Sequence, residues 1–533
     1  MKPKMKIKRF LSLVLTLILV LNFSACRKNG AQNDQNITPE LTPEDELVIY
    51  HNNTALAPML ISLTEEYSKA TGKTVSAKLS GSNFMGEMQS KNAAIYVVDT
   101  HYDLSDWHSE GLFSDFLNGS GLSSLFTKIP AGLQLNSTGI GSYGVPLMLE
   151  GYGYIFDREM ISALFGSDSA ESLINDLRTC SFTEFESFVA AVDTYISAPS
   201  KAEITIGGNK YSFLPEKTEK AATLTGVFSL NSESTRVMEH LLSYALSAKF
   251  ASRYEVMNAA EENISGASEV LSAYMEVLDL HTSHIAGAEG SIGRGDEFTG
   301  GDYNYSTSID LFTRGNALFY PGGTSDTADF EKSAAGFSNN LDIIPMKLPI
   351  TDEQITAAGM TAEKLQSSIV IGSRYYITVN PKADEKSTAA AMDFINWLYS
   401  DEVGKTAYSS AFGTVPFNYE YLLSDSNMAK TAPESEPMPE ENPMPETPEI
   451  SGPMVPSHNI SNSLMAAVGE YYSAGNWIPD MSVALPSGFA EEILGKNLSD
   501  YWGMETWAES DRKNFVDTII GGWKERLNKN TVG

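Results

Sequence analysis

Along the chain the spacing of apolar residues switches between two and three or four, and each switch marks an element. Residues 47–50 read LVIY, a short strand, followed by the polar run His51-Asn52-Asn53-Thr54. Pro58 then opens a helix with Leu60, Leu63 and Tyr67 on one side, and Gly72 closes it. A second strand, 74–79, runs into Ser80-Gly81-Ser82-Asn83, and a third, 94–98, into Asp99-Thr100. Strand, polar loop, helix, strand predicts a parallel α/β sheet. In open sheets of that kind ligands lie beyond the carboxyl ends of the strands, so the loops carrying Asn53, Ser82, Asn83 and Asp106-Trp107 point to one crevice. Each also has a plain structural reading: asparagine forms turns, and Trp107 suits a core anchor as well as a stacking platform.

The stretch 143–160, YGVPLMLEGYGYIFDREM, organises the rest. An apolar extended run, 145–149, gives way to a polar knot of Glu150, Gly151, Tyr152 and Gly153, where the glycines would permit turns closed to other residues. Extended chain resumes at Tyr154 and leads into a helix. This predicts a strand crossing between two bodies, with hinge and ligand floor meeting at the acid and aromatic Glu150 and Tyr152.

Beyond it the helices lengthen. Thr183-Glu184-Phe185-Glu186 reads as a capping box before Phe188, Val189 and Val192. A hairpin is expected over 203–214 around Gly207-Gly208, and helices around 238–248 and 267–280. The glycine-rich stretch 287–301 contains GSIGRG, but no strand precedes it and no helix follows, so it is not a phosphate cradle. Arg294-Gly295-Asp296 and the pair His281 and His284 read as loop and helix-end residues without a third metal ligand. After a helix at 305–314, an apolar strand ends in Pro321-Gly322-Gly323-Thr324, exposing backbone N–H groups beside Tyr320. A strand pair over 367–379 is interrupted at Gly372-Ser373-Arg374. An amphipathic helix, 389–399, follows with Trp397 in the core. Leu464, Ala467, Val468 and Tyr471 form a stripe, Asn476 to Pro479 is expected as a loop holding Trp477, and a last helix from about Asp511 aligns Phe515, Ile519, Trp523 and Leu527.

Composition narrows the class. The chain has 533 residues, 42% hydrophobic and 20% charged, enough for two or three lobes with ample core. Its formal charge is −31, and the five charges in the first 25 residues (Lys2, Lys4, Lys6, Lys8, Arg9) are all positive, so the remaining body is more acidic still. That argues against nucleic acid and against adhesion to anionic lipid, and leaves an uncharged or cationic ligand open. The basic start precedes an apolar run, 11–21, too short for the ~20 residues of a membrane-spanning helix. With Phe23-Ser24-Ala25-Cys26 it reads as a secretory signal over 1–25. Small residues before a cysteine resemble a bacterial lipoprotein box, in which Cys26 carries the lipid; the plain alternative is a chance cysteine after an ordinary cleavage site. Residues 26–45 are polar and read as a tether. Cys180 is the other cysteine, so no disulfide framework is expected, and it reads as a small buried hydrophobe.

Four segments in order carry a resemblance: VPLMLEGYGYIF, GNALFYPGG, SSIVIGSRYYITVNPKADEKSTAAAMDFINWLYSDEVGK and FGTVPFN. Together, behind a lipoprotein signal, they are similar to the extracellular solute-binding proteins, family 1, that serve sugar-importing ABC transporters. The resemblance implies an α/β, two-lobed periplasmic-binding-protein-like (type II) fold with hinge-linked lobes closing on a central ligand cleft. It divides the chain into one lobe from 46–153 and 373–423 and another from 154–372 and 457–533. It implies a monomer at the outer face of the cytoplasmic membrane that hands cargo to permease subunits, with no cofactor, metal or catalytic residue. The segment 424–456 departs from the family: eight prolines, seven carboxylates and one lysine cannot bury enough apolar surface to fold, so it is expected as a disordered insertion.

A sugar offers vicinal hydroxyls and a ring face of C–H groups, so its site wants paired polar groups and an aromatic. Asn53, Asn83, Glu150 and Arg374 could supply the first; Trp107, Tyr152, Tyr320 and Trp477 the second; Ser82, Gly322 and Gly323 line the same loops. Each net hydrogen bond contributes only ~1 kcal/mol, so affinity would depend on closure that excludes water. Two other classes remain open at this point. The same fold could hold a peptide, a polyamine or a metal chelate, or the chain could be a secreted glycosidase, although it shows no nucleophile elbow, HExxH or Ser/His/Asp grouping.

Overall fold

In the computed structural model the described residues are 47–530, apart from 55, 100–106, 108–109, 114–121, 136–142, 234, 374, 401, 413–462 and 487. The expected signal, Cys26, the tether, the insertion 424–456 and Arg374 lie outside them. The strands in chain order are β1 (Leu47–His51), β2 (Val75–Leu79), β3 (Ile95–Asp99), β4 (Val145–Pro146), β5 (Leu149–Asp157), β6 (Glu203–Ile206), β7 (Asn209–Ser212), β8 (Gly226–Phe228), β9 (Ile285–Ala286), β10 (Ser291–Ile292), β11 (Ala317–Gly323), β12 (Leu341–Ile344), β13 (Ile369–Ser373), β14 (Tyr375–Val379) and β15 (Trp477–Pro479).

The first sheet has the order β2-β1-β3-β14-β4. β1 is parallel to β2 and β3, and β14 runs antiparallel to β3 and β4. The connecting helix Ala57–Thr71 buries Leu60, Leu63 and Tyr67, as its spacing predicts, and ends at Gly72 with φ 71°, a left-handed conformation that glycine adopts without a Cβ penalty. Helix Glu385–Ser400 covers the same sheet, setting Phe394 and Trp397 edge-on to Tyr67, each at 5.1 Å.

The second sheet has the order β10-β9-β8-β11-β5-β13-β15, with β12 also paired to β5. β5 is its axis, and all nine of its residues are buried. β11 lines one edge; β13 takes Leu149 to Tyr152 on the other, and β12 takes over from Tyr154 to Asp157. The expected polar knot at 150–153 is therefore uninterrupted strand. Its glycines serve close approach and not turning: a Cβ on Gly151 would stand 2.5 Å from Val468 of helix Ser463–Ala474, and one on Gly153 2.5 Å from the carbonyl oxygen of Ile344. A hydrophobic–polar pattern alone does not separate these two uses of glycine.

The two sheets lie within one compact unit and are linked by two adjacent strand crossings. Chain passes from β4 to β5 through Leu147 and Met148, and from β13 to β14 through position 374. Leu147 N donates to Tyr375 O (2.8 Å), while Tyr399 and Tyr408 hydroxyls donate to the carbonyls of Pro146 and Leu147. The expected lobe boundary at 153/154 falls inside β5.

Around the second sheet the predicted hairpin forms as β6 and β7, and the predicted helices form as Thr235–Lys249 and Ser268–Thr282. Two local expectations change. The capping box is Ser181 with Glu184, two residues earlier than expected, because the first turn buries Phe182. Residues 477–479 are not loop but β15, a parallel edge strand on β13 that ends in Pro479; proline is tolerated there because an edge strand leaves one side of its ladder unpaired. No helix among the described residues is long and apolar enough to cross a membrane.

Candidate ligand-binding site

Side chains two apart on a strand share a face, so Glu150 and Tyr152 project together from β5. Tyr152 OH donates to the Glu150 carboxylate. Opposite Tyr152 on β11 stands Gly323, where a Cβ would sit 2.3 Å from the tyrosine ring, so the ring lies over bare backbone. Its other face is covered by His240 of helix Thr235–Lys249, whose ring stacks at 3.4 Å and 17°. Three residues on, Ser243 projects from the same helix face.

Across β13 from Glu150 is Gly372, and a Cβ there would meet Asp480 at 2.8 Å. The gap lets Asp480, just past β15, lie over the sheet. Its Oδ1 accepts from Ser243 Oγ (2.8 Å), Ser482 Oγ (2.6 Å) and Ser482 N (3.1 Å); His240 Nδ1 lies 3.4 Å from Oδ2. Arg253, first residue of helix Arg253–Met257, donates through Nε to Asp480 O (2.8 Å) and through Nη1 to Tyr376 OH on β14 (3.1 Å). One guanidinium thus ties the second sheet to the first.

These groups are withdrawn from water: Glu150 is 3% exposed, His240 6%, Arg253 7% and Asp480 5%. Burial alone would push the Asp480 carboxyl up, but His240, the Ser482 hydrogen bond and Arg253 together hold it well below the usual carboxylate range. On the other flank Thr324 Oγ1 accepts from Gly151 N (3.3 Å) and Asp326 accepts from Gly323 N (3.0 Å). Tyr305 donates to both Asp326 (2.8 Å) and Asp329 (3.0 Å); burial first, and then these carboxylates, raise its hydroxyl far above the ordinary value.

Of the residues singled out in the sequence, Glu150, Tyr152 and Gly323 come together here, with Gly322 paired to Gly153 beside them. Tyr320 does not: it lies on the opposite face of β11, packed between Phe312 (5.5 Å) and Phe330 (5.1 Å). Trp107 is 2% exposed within an aromatic cluster on the first sheet, stacked on Phe113 at 9° and close to Phe84 and Tyr96. Ser82 and Asn83 are exposed, and Asn83 caps helix Phe84–Lys91 through Gly86 N. Asn53 donates to Tyr375 OH (2.6 Å), just beyond the second crossing. Trp477 is half-buried on β15 beside Tyr472.

Sequence reasoning missed His240, Ser243, Arg253, Tyr376 and Asp480. A signal existed for two of them: a histidine inside an otherwise apolar helix pattern, and an aspartate straight after Trp477-Ile478-Pro479. The other histidine pair is dispersed. His281 shares a 2.8 Å hydrogen bond with Tyr154 in the core, its pKa lowered to about 3 by burial, and His284 lies 3.5 Å from Asp193. No group of three His, Cys, Asp or Glu that could hold a metal ion occurs among the described residues. Away from the junction, a surface cavity of about 430 Å³ is lined by Glu186, Glu276, Asp279, Trp507 and Arg512, among others. Its Asp279 is committed to structure, accepting from Arg294 (2.6 Å), Arg512 (2.5 Å) and Tyr501 (3.0 Å).

Two α/β bodies joined by paired strand crossings, with charged and aromatic side chains gathered where they meet, define a two-lobed, hinge-linked binding protein. Residues 62–436 match the model of the bacterial extracellular solute-binding proteins, and the chain belongs to that family. The fold is similar to that of the sugar-binding protein MalE from the phytopathogen Xanthomonas citri (TM-score 0.55, 12% identity, 91% of this chain and 98% of that one). It is also similar to RafE from Streptococcus pneumoniae (0.54, 12%, 90% and 98%) and to a chitin oligosaccharide binding protein (0.51, 13%, 91% and 99%). No curated protein matches the chain.

Proposed function

We propose that this protein is the lipid-anchored receptor of an ABC importer, capturing a carbohydrate, and by preference an oligosaccharide, between two closing lobes. The observation that carries the reading is the set of buried polar side chains at the double crossing, where Arg253 reaches from Asp480 to Tyr376. Glu150 and Asp480 supply acceptors, Arg253 and His240 supply nitrogen, and closure removes the water that would compete with them. Similarity in fold to MalE and to a chitin oligosaccharide binding protein supports a sugar as cargo. In this reading Cys26 carries the lipid, 26–45 is the tether, and the receptor acts as a monomer that presents its cargo to permease subunits. The lobes are 46–153 with 373–423 and 154–372 with 457–533, adjusted so that the bend falls at Leu147–Met148 and between β13 and β14, and β5 moves with the second lobe.

A thermal-shift and calorimetric screen of the purified protein tests this. Neutral oligosaccharides should raise the melting temperature by mass action, while spermidine and peptides should not. A response to peptides or spermidine alone would overturn the sugar assignment, and turnover of a chromogenic glycoside would overturn the receptor role.

A further inference from the structure

Inside the junction three nitrogens have no hydrogen-bond partner among the described residues: Nδ1 and Nε2 of His240 and Nη2 of Arg253, on side chains more than nine-tenths buried. Both residues are held by the same neighbour, His240 through Nδ1 facing Asp480 Oδ2 and Arg253 through Nε on Asp480 O. A buried N–H or ring nitrogen left unpaired is a standing cost, kept where something else completes it.

The chemistry of that missing partner follows from charge and from what each nitrogen can donate or accept. Glu150, Asp480, Arg253 and His240 are all buried at the junction. An anionic ligand would meet two carboxylates, and a cationic one a guanidinium beside carboxylates already engaged by Tyr152, Ser243 and Ser482, so the constellation suits a neutral molecule. A ring nitrogen of His240 can meet a hydroxyl as donor or as acceptor, whereas Nη2 of Arg253 can only donate. Two neighbouring hydroxyls, each able to donate and to accept, satisfy both.

We propose that His240 and Arg253 are the residues that read adjacent hydroxyls of a neutral sugar, with Asp480 lying against both; this rests on the junction being the ligand site. Tyr152 is then a positioning residue. Its ring is covered by Gly323 on one side and His240 on the other, so it holds the imidazole plane and the Glu150 carboxylate and offers no face for a sugar ring to stack on.

Calorimetric titration of the whole protein with maltotetraose, raffinose, chitotriose, digalacturonate and spermidine tests the proposal, alongside His240→Phe, which keeps the stacked ring, and Arg253→Lys, which keeps the charge. A neutral sugar should bind the parent, and each variant should bind it about ten- to a hundredfold more weakly. The melting temperature without ligand is measured in parallel, because a merely structural role would lower it and leave the dissociation constant unchanged. If a neutral sugar binds parent and both variants alike, the assignment to these two side chains falls and the cleft reading stands. If the parent takes only digalacturonate or spermidine, the charge argument falls. If it takes none of the five, the site reading falls with it. Should Arg253→Lys not fold, His240→Phe decides.

Discussion

At the scale of single residues, the decisive side chains are those whose neighbours have been trimmed to admit them. Tyr152 occupies space that exists because position 323 has no Cβ, so Gly323→Ala should push the ring off His240 at a cost of ~1–3 kcal/mol. Denaturant titration measures the loss, and unchanged stability with unchanged ligand affinity would show that the ring can move freely. Lys347 is a second case. It is fully buried, donating to the carbonyls of Arg178 (3.0 Å) and Gln366 (2.5 Å), and burial lowers its amine from 10.5 to about 8 despite the opposing influence of Cys180 and Glu184. Below about pH 8 the amine is charged in folded and unfolded chains alike, so the full desolvation cost is present. Between pH 8 and 10.5 the folded amine is neutral while the unfolded one is still charged, and the cost disappears. The stability difference between Lys347→Met and the parent should therefore shift by up to ~3 kcal/mol in the parent's favour from pH 7 to pH 10.5. A difference that is flat with pH would mean that the amine titrates normally.

At the scale of elements, the second lobe depends on one buried carboxylate. Asp279, on helix Ser268–Thr282, gathers Arg294 from a loop, Tyr501 from helix Lys496–Trp502 and Arg512 from helix Glu509–Asn530, and the Arg294 guanidinium lies 3.2 Å from the ring centre of Trp507. The Arg294 side chain is 1% exposed, so Asp279→Asn would leave a buried cation unpaired, which typically costs ~3–5 kcal/mol. Chemical denaturation should show a lower midpoint, with the C-terminal helix becoming sensitive to protease; a midpoint like the parent's would mean that Tyr501 and Trp507 suffice. β5 makes the complementary point. It serves three partner strands in nine residues, so its pattern of small and large side chains is set by β11, β12, β13 and helix Ser463–Ala474 together.

At the scale of the molecule, the proposed function requires motion about the two crossings, where the Tyr399 and Tyr408 hydroxyls grip Pro146 and Leu147. Hinges of this kind concentrate backbone change in a few element-terminal residues. Small-angle scattering should show a smaller radius of gyration once a bound sugar is added. Tyr399→Phe combined with Tyr408→Phe should alter affinity through the closure equilibrium without touching the site. Identical scattering with and without a saturating ligand would exclude closure.

Much of this was readable from the amino acids. The alternation at 47–99, the hairpin at 203–212, the helices carrying His240 and His281, and the crossing near Glu150 all follow from local periodicity, because each element buries one face and its own residues show which. The glycines of β5 and the strand at Trp477 could not be placed the same way, since each depends on a partner far off in the chain. The same holds for the candidate site. Glu150 and Tyr152 were visible because they share one strand, whereas His240, Arg253 and Asp480 come from three further segments whose meeting is a property of packing. The sequence by itself determined the elements, the acidic character and the two-body plan; only the tertiary structure decided which face of β11 looks inward, placing Gly323 against Tyr152 and Tyr320 in the core, because side-chain direction on a strand is settled by the register of its neighbours.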